Sequence, residues 1–276
     1  ATTVTNATST ALTVNVDGVG YDSTGAAVAV SVAAGSAAKS ITLNATGTKS
    51  SVTVSGAAAT TLNITGAADL ALANAITTAT TIDGSKATGA LTLGILDATT
   101  VTASTGAGKD SLTLSATTKA AVDTGAGNDK VTLASAVAAG STISLGAGDD
   151  SLLVSTGSVA ASTSTATTVI DGGDGVDSVA AALINASNAA QFKNFESIDL
   201  SAATITVGGL DVELMTGSAI TGLTLQGGTG GATVSNVASG VGLTVSGTNT
   251  GAVGPTTICV KGAATGTADS FTTTFA

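Results

Sequence analysis

Four short segments between Thr105 and Ala180 carry glycines and carboxylates at a fixed spacing, and carboxylates with backbone carbonyls are the ligands of hard cations. They read TGAGKDSLT, TGAGNDKVT, LGAGDDSLL and GGDGVDSVA, starting at Thr105, Thr124, Leu145 and Gly172. The second and fourth residues are always glycine, and the sixth is always aspartate. Glycines at φ > 0 can bring carbonyl oxygens close to one point, to which the aspartate adds a carboxylate.

The last three residues of each nine-residue segment are typical of a strand with one inward apolar side chain. That side chain is the eighth residue, namely Leu112, Val131, Leu152 and Val179. The sixth-position aspartates lie 19, 21 and 27 residues apart. Two nine-residue half-coils place equivalent turns about 18 residues apart. The spacing therefore predicts one such turn per coil, stacked along one edge of a flattened solenoid.

Calcium is the cation that these turns predict. Of the sixteen aspartates, eight lie between residues 110 and 177, and carboxylates this close repel one another unless a cation offsets them. Four stacked turns leave three gaps for ions, and the longer step before Gly172 could remove one. The alternative is that these segments are ordinary glycine-rich turns. The predicted ligands are Gly106, Gly108, Asp110, Gly125, Gly127, Asp129, Gly146, Gly148, Asp150, Gly173, Gly175 and Asp177.

The composition argues against an enzyme and against a nucleic-acid-binding protein. The chain has no histidine, arginine or tryptophan, so it has no Ser-His or Cys-His nucleophile pair and no guanidinium clamp. Eight lysines against eighteen acids give a net charge of −10 and no basic footprint. No apolar run reaches the length of about 18 residues that a membrane span needs.

The rest of the chain predicts an all-β fold, a parallel β-solenoid. Apolar pairs such as Ile41 with Leu43 and Leu62 with Ile64 alternate with small polar residues, and successive pairs begin 8 to 12 residues apart. We expect a short helical interruption near 181–192, with Phe192 and Phe195 as a plug that closes an apolar end. Four segments are predicted: 1–35 as solenoid entry, 36–104 without regular calcium turns, 105–200 with them, and 201–276 as a C-terminal β-rich part.

Other acidic residues and the single cysteine have simpler interpretations. Asp17 and Asp22 flank a turn that could hold a cation, but an ordinary loop is favoured. Asp69, Asp83 and Asp97 are interpreted as turn residues. Cys259 lies in the β-prone stretch TTICV, and a free cysteine there is expected to be a small buried hydrophobe.

The repeats carry a resemblance to a known group of proteins. The nonapeptide G-G-x-G-x-D-x-U-x is the calcium-binding β-helix repeat of RTX proteins. With the intervening segments, up to N-F-E-S-I-D-L at Leu200, the chain resembles RTX-type surface-layer (S-layer) proteins of Gram-negative bacteria. That resemblance implies type I export, folding on calcium outside the cell, and self-assembly into a two-dimensional lattice on the cell surface. It leaves a cell-surface polysaccharide partner open, contacted through regions outside this sequence.

Three functions remain open at this stage. The first is a structural segment of a secreted S-layer subunit. The second is the calcium-rigidified stalk or binding module of an RTX adhesin. The third is a calcium-binding accessory domain of a secreted enzyme, against which the length of solenoid without calcium turns argues. The absence of an initiating methionine indicates a fragment of a longer protein.

Overall fold

A computed structural model describes most of the chain. The described residues are 2–6, 8–22, 24–25, 28, 30–73, 78–96, 98–114, 119–134, 137–155, 168–201, 209–226, 233–246, 257–261 and 272–275. Their strands are β1 (Thr2–Asn6), β2 (Ala11–Val16), β3 (Val30–Ala34), β4 (Ser40–Ala45), β5 (Ser50–Ser55), β6 (Thr61–Gly66), β7 (Leu70–Leu72), β8 (Thr81–Ala87), β9 (Leu91–Leu96), β10 (Thr100–Ser104), β11 (Ser111–Leu114), β12 (Lys119–Asp123), β13 (Lys130–Leu133), β14 (Thr142–Ser144), β15 (Ser151–Val154), β16 (Val169–Asp171), β17 (Ser178–Ala180), β18 (Phe192–Lys193), β19 (Ser197–Asp199), β20 (Leu210–Asp211), β21 (Gly222–Gln226), β22 (Thr233–Val237), β23 (Gly242–Ser246), β24 (Thr257–Val260) and β25 (Thr272–Phe275). Within these described ranges, short 3-10 helices occupy Ala181–Leu183, Ala189–Gln191 and Val212–Leu214.

The fold is a parallel β-solenoid of about nine turns, as the sequence predicts. The odd-numbered strands from β1 to β25 form one thirteen-stranded sheet, in sequence order. The even-numbered strands from β2 to β18 form a nine-stranded sheet, and β20, β22 and β24 form a third sheet. Neighbouring strands within every sheet are parallel, so from β1 to β18 each coil gives one strand to each of two sheets.

The core consists of the side chains that face inward from the strands. Burial alternates along the strands, since successive side chains point to opposite faces, and β4 and β12 have every second residue buried. The apolar pairs predicted from the sequence supply this core, and Leu43, Leu62 and Ile64 are fully buried. Burying one such side chain contributes about 1.5–3 kcal/mol, so the repeated aliphatic rungs are the main stabilising element of the coils.

The predicted interruption near 181–192 is confirmed, and it takes the form of two 3-10 turns. The amide Nδ2 of Asn188 donates a hydrogen bond of 2.9 Å to the Leu183 carbonyl, which ties the two turns together. Phe192 and Phe195 are both buried and pack edge to face with ring centroids 6.2 Å apart. Phe192 begins β18, the last strand of the nine-stranded sheet, so the two rings fill the interior where that sheet ends.

The four segments predicted from the sequence share one sheet. The thirteen-stranded sheet runs from β1 to β25 through all of them. The even-numbered strands belong to the nine-stranded sheet up to β18 and to the three-stranded sheet from β20 onward. The change of sheet lies between β18, which ends at Lys193, and β20, which begins at Leu210. The boundaries at residues 35, 104 and 200 stay predictions.

Outward-facing amides and hydroxyls connect the coils that lack the repeated aspartates. Asn44 on β4 donates from Nδ2 to Asn15 Oδ1 at 3.0 Å and accepts at Oδ1 from the Thr65 hydroxyl at 3.2 Å. The three residues are aligned by the parallel register of β2, β4 and β6. This ladder holds the N-terminal coils together on their solvent face.

Replacing Asn44 by Ala is expected to lower the free energy of unfolding by about 1 kcal/mol, because two side-chain hydrogen bonds are lost at a partly exposed site. Urea denaturation measures the loss. It should be the same in calcium and in chelator, since Asn44 lies in a coil without the repeated aspartates. A loss seen only in calcium would contradict this account of the ladder.

The expectation that Cys259 is buried is wrong. Its strand, β24, pairs with β22, and Ile258 and Val260 are half-buried. Because side chains alternate along a strand, Cys259 between them faces the other way and is exposed.

Native protein should therefore react with a thiol reagent such as Ellman's reagent without denaturant. The reference is the rate of the urea-unfolded chain. A native rate slower by a factor of a thousand or more would place the thiol in the core and contradict the structure.

Candidate metal centre

The four repeated segments lie one above another at the same edge of the solenoid. Their last residues form β11, β13, β15 and β17, which are consecutive neighbours in the thirteen-stranded sheet. The eighth residues Leu112, Val131, Leu152 and Val179 are in register and fully buried, as predicted. The turns themselves stack from the second copy onward, since Ala126, Ala147 and Asp174 form parallel bridges. The 27-residue step before Asp177 therefore does not interrupt the stack.

Glycines of the second, third and fourth copies adopt the left-handed conformation expected for them. In the second copy φ is 87° at Gly125 and 129° at Gly127, and the third and fourth copies have similar values. The expectation is wrong for the first copy, because Gly106 and Gly108 are not among the glycines with positive φ. The first turn thus has a different backbone path from the other three.

Glycine is also required because adjacent turns approach closely. A Cβ on Gly125 would lie 2.2 Å from the carbonyl oxygen of Gly106, and one on Gly148 would lie 2.0 Å from that of Gly127. Such distances are far below a van der Waals contact, so no larger residue fits. The carbonyl oxygens of one turn are thereby held against the backbone of the next.

The sixth-position aspartates form a hydrogen-bonded ladder that crosses the coils. Each carboxylate accepts the backbone N–H of the equivalent residue one coil earlier. Asp129 Oδ1 accepts from Asp110 N–H at 2.7 Å, Asp150 from Asp129 N–H at 2.6 Å, and Asp177 from Asp150 N–H at 2.8 Å. At the start of the ladder Asp110 accepts from Leu91 N–H at 2.7 Å. The sequence thus folds its repeated acids into one continuous column.

The second oxygen of three of these carboxylates is buried without a hydrogen-bond donor. The atoms are Oδ2 of Asp129, Asp150 and Asp177, whose residues are at most 2% exposed. Asp110 differs, because its Oδ2 accepts from Gly106 N–H at 3.2 Å. A buried, donorless carboxylate oxygen is rare in folded proteins and needs a proton, a water or a cation.

The pKa values of the aspartates in the column are raised, as expected for carboxylates buried without a compensating charge. Burial raises the pKa of Asp110, and it raises that of Asp129 to about 6 although the N–H of Asp110 favours its charged form. Burial, together with the charges of neighbouring aspartates, raises the pKa of Asp150 to about 7. Burial therefore destabilises the charged form of these carboxylates, and a proton or a cation would relieve that cost.

Threonines at the first position of the first two copies supply a buried hydroxyl that the other two copies lack. The buried hydroxyl of Thr105 donates to the carbonyl of Thr124 at 2.8 Å, and the hydroxyl of Thr124 donates to the carbonyl of Leu145. Leu145 and Gly172 occupy the equivalent positions of the third and fourth copies and have no hydroxyl. The repeat that contains Asp150 therefore lacks the first-position hydroxyl that the first two repeats have.

A second, exposed ladder runs along the fifth positions. Asn128 Oδ1 accepts from Asp149 N–H at 3.1 Å, and Asp149 Oδ1 accepts from Val176 N–H at 3.0 Å. It supports the same stack from the solvent side.

The donor set fits calcium better than a transition metal. No group of three or more Asp, Glu, His or Cys side chains converges on one point in the described part of the chain. Each cation here would be held by one unpartnered oxygen, of Asp129, Asp150 or Asp177, with glycine carbonyls of adjacent turns, and all of these are hard oxygen donors.

Glu196 is a member of the column that sequence reasoning missed. It lies beside Asp177 in the next coil, and its Oε2 accepts from Asp177 N–H at 2.9 Å. Its position two residues before the inward Ile198 matches that of Asp177 before Val179, and this spacing was the available signal.

Asp17 and Asp69 lie in connections between strands, as interpreted, whereas Asp83 lies within β8, so its interpretation as a turn residue is wrong. All three carboxylates accept a backbone N–H. Asp17 accepts from Thr48 N–H, Asp69 from Ala90 N–H and Asp83 from Ser85 N–H. Asp22 Oδ1 accepts from the N–H and hydroxyl of Thr24. Asp97 lies outside the described residues.

Comparisons with protein families, with curated proteins and with solved structures find no match for this chain. Among its described residues, no helix has the length and apolar character to cross a membrane.

Proposed function

We propose that the chain is a structural protein segment, a solenoid whose coils are cross-linked by calcium. The observation that carries the proposal is the column of buried aspartates in which three carboxylate oxygens lack a donor. A bound calcium ion supplies positive charge between coils. The chain supplies the aligned oxygens, and it holds them in place through the strand register and the glycine turns.

Calcium dependence favours a location outside the cell. Extracellular calcium modules bind with Kd of roughly 10⁻⁴ to 10⁻³ M, so such sites are empty in the cytosol and filled outside. The charge repulsion in an empty column would keep the chain loosely folded before export. Secretion followed by calcium-driven folding is therefore part of the proposal.

Within this class we propose a subunit of a surface layer that assembles with copies of itself. The support is the resemblance of the repeats between Gly106 and Leu200 to those of RTX-type surface-layer proteins. A parallel stack of coils cross-linked by ions would also be stiff, and a lattice subunit needs that stiffness. The same stiffness favours the alternative of an adhesin stalk.

Negative-stain electron microscopy combined with sedimentation velocity separates these functions. The protein is compared in about 1 mM calcium and in chelator. Ordered two-dimensional arrays that form only with calcium are the expected result. Elongated monomers that become more compact with calcium would favour the stalk instead, and identical particles in both conditions would contradict both functions.

A further inference from the structure

The column of carboxylates continues into a coil that has no nonapeptide. Ser178 pairs with Ser197, so Glu196 is in register with Asp177. The backbone N–H of Asp177 donates to Glu196 Oε2 at 2.9 Å, which is the same bond that each aspartate makes to the next. Glu196 is thus the last acid of the column, although it belongs to the coil with the buried phenylalanines.

The turn that leads to Glu196 is shorter than the nonapeptide turns. In the fourth copy the turn runs from Gly172 to Asp177, whereas in the next coil only Phe195 separates Asn194 from Glu196. Asn194 takes φ of 53° and donates from Nδ2 to Asp171 Oδ1 at 2.7 Å. Its own N–H donates to the Gly217 carbonyl at 2.8 Å, which fixes the Asn194 backbone between its neighbours.

Two oxygen atoms lie close to the space beside the Cα of Gly172, which a side chain would occupy in any other residue. A Cβ at Gly172 would lie 2.2 Å from the carbonyl oxygen of Asn194 and 2.8 Å from Asp177 Oδ2. Both oxygens are therefore near one point, and Asp177 Oδ2 is buried without a donor. In the first copy the equivalent position is Thr105, whose hydroxyl donates to the Thr124 carbonyl in the next coil. Gly172 offers no such donor.

Several negative charges lie close together at this end of the column. Asp177 is buried, and the charges of Glu196, Asp149 and Asp171 act on it. Burial first and then these charges raise the pKa of Asp177 to about 6. A proton or a cation at Oδ2 would relieve both the desolvation and the repulsion.

We propose that Asp177, Glu196 and the Asn194 carbonyl form a terminal cation site, outside the four nonapeptides, that binds calcium. This inference rests on the proposed function, and it places one of the ions between the fourth repeat and the phenylalanine coil. Calcium accepts carbonyl and carboxylate oxygens in irregular geometry, whereas magnesium requires a near-ideal octahedron. Glu196 is half-buried, so water can complete the coordination shell from the open side.

The site explains why the chain changes from aspartate to glutamate here. A turn shortened to Asn194, Phe195 and Glu196 has no glycine carbonyls to offer. The additional methylene of glutamate lets a carboxylate from this coil reach Asp177. Phe195 lies between the two proposed ligands Asn194 and Glu196. A bound ion would therefore hold the Phe195 backbone, and with it the plug formed by Phe192 and Phe195, in position.

The chain offers a matched pair of variants for the test, since Glu196 and Glu213 are its two glutamates. Glu196→Gln removes the charge but keeps an oxygen that can accept the Asp177 N–H. Glu213→Gln is the control, because Glu213 pairs with Lys261 on the exposed surface away from the column. Calcium stoichiometry is measured by isothermal titration calorimetry, and far-UV circular dichroism in calcium checks that each variant is folded.

The expected result is that Glu196→Gln binds about one ion fewer per chain than the parent protein, while Glu213→Gln binds the same number. Equal stoichiometry and affinity in the parent and in Glu196→Gln would overturn the terminal site while the calcium proposal stands. A folded Glu196→Gln that loses every ion would also overturn it, because Glu196 would then act on the whole column. If the parent protein binds no calcium, the proposed function fails as well.

Discussion

Adding about 1 mM calcium to the metal-free protein is expected to raise its free energy of unfolding by about 4 kcal/mol. A site with Kd of about 10⁻⁴ M gains about 1.4 kcal/mol at this concentration, and three buried oxygens lack a donor. Stabilities of whole domains are about 5–15 kcal/mol, so the gain can decide whether the fold is populated. Urea denaturation followed by circular dichroism, in calcium and in chelator, measures it.

The gain should vanish when Asp129, Asp150 and Asp177 are all replaced by Asn. Each Asn retains an oxygen for the backbone N–H of the previous coil but lacks the charge that binds the cation. Without calcium the triple variant should be more stable than the parent, because three buried carboxylates are removed. If no cation binds, the variant should be the more stable protein in both conditions.

A matched control has the same substitution at three aspartates outside the column. Asp17, Asp83 and Asp211 each accept a backbone N–H as the column residues do, from Thr48, Ser85 and Glu213 respectively. The control variant should keep the full calcium gain. A loss of the gain in this control would mean that calcium acts through total charge and not through the column.

The metal-free protein is expected to lose stability as the pH rises from about 4 to 7. Burial raises the pKa of Asp129 and of Asp177 to about 6 and that of Asp150 to about 7, against an ordinary value of 3.8. The folded state therefore binds more protons than the unfolded state in this window, and unfolding becomes easier with increasing pH. One pKa unit corresponds to about 1.4 kcal/mol, so Asp129 alone contributes roughly 3 kcal/mol.

Urea midpoints measured between pH 4 and 8 in chelator test this dependence. The triple Asn variant provides the comparison, because it lacks the three titrating groups and should have a nearly flat profile. Calcium should flatten the profile of the parent above pH 6, since it binds the charged form. A metal-free parent that is most stable at pH 7 to 8 would contradict the assignment of these carboxylates as buried and uncompensated.

Most of the fold was predictable because a solenoid repeats the same local rules. The alternation around pairs such as Leu62 and Ile64 gave the strands, and the spacing of the aspartates gave the coil length and the stacking. The eighth residues of the nonapeptides face inward as expected. These features depend on period and residue type, and both are visible in the sequence.

Other features depend on contacts between coils and were not predictable in this way. The cysteine position was misjudged because β-propensity does not say which face of β24 is buried. The first repeat has the same glycines as the second, yet its turn differs, since it stacks on Gly89 and Ala87 of a coil without the motif. Glu196 joins the column through strand register across a shortened turn, and its signal in the sequence, the position two residues before Ile198, lies outside any nonapeptide.

Direct calcium binding is the measurement that tests the central claim most sharply. Equilibrium dialysis of the metal-free protein against calcium up to about 1 mM counts the ions per chain. The column predicts about three ions for the parent protein and none for the triple Asn variant, one for each donorless oxygen. A parent protein that binds no calcium would contradict the account and reduce the four repeats to ordinary glycine turns.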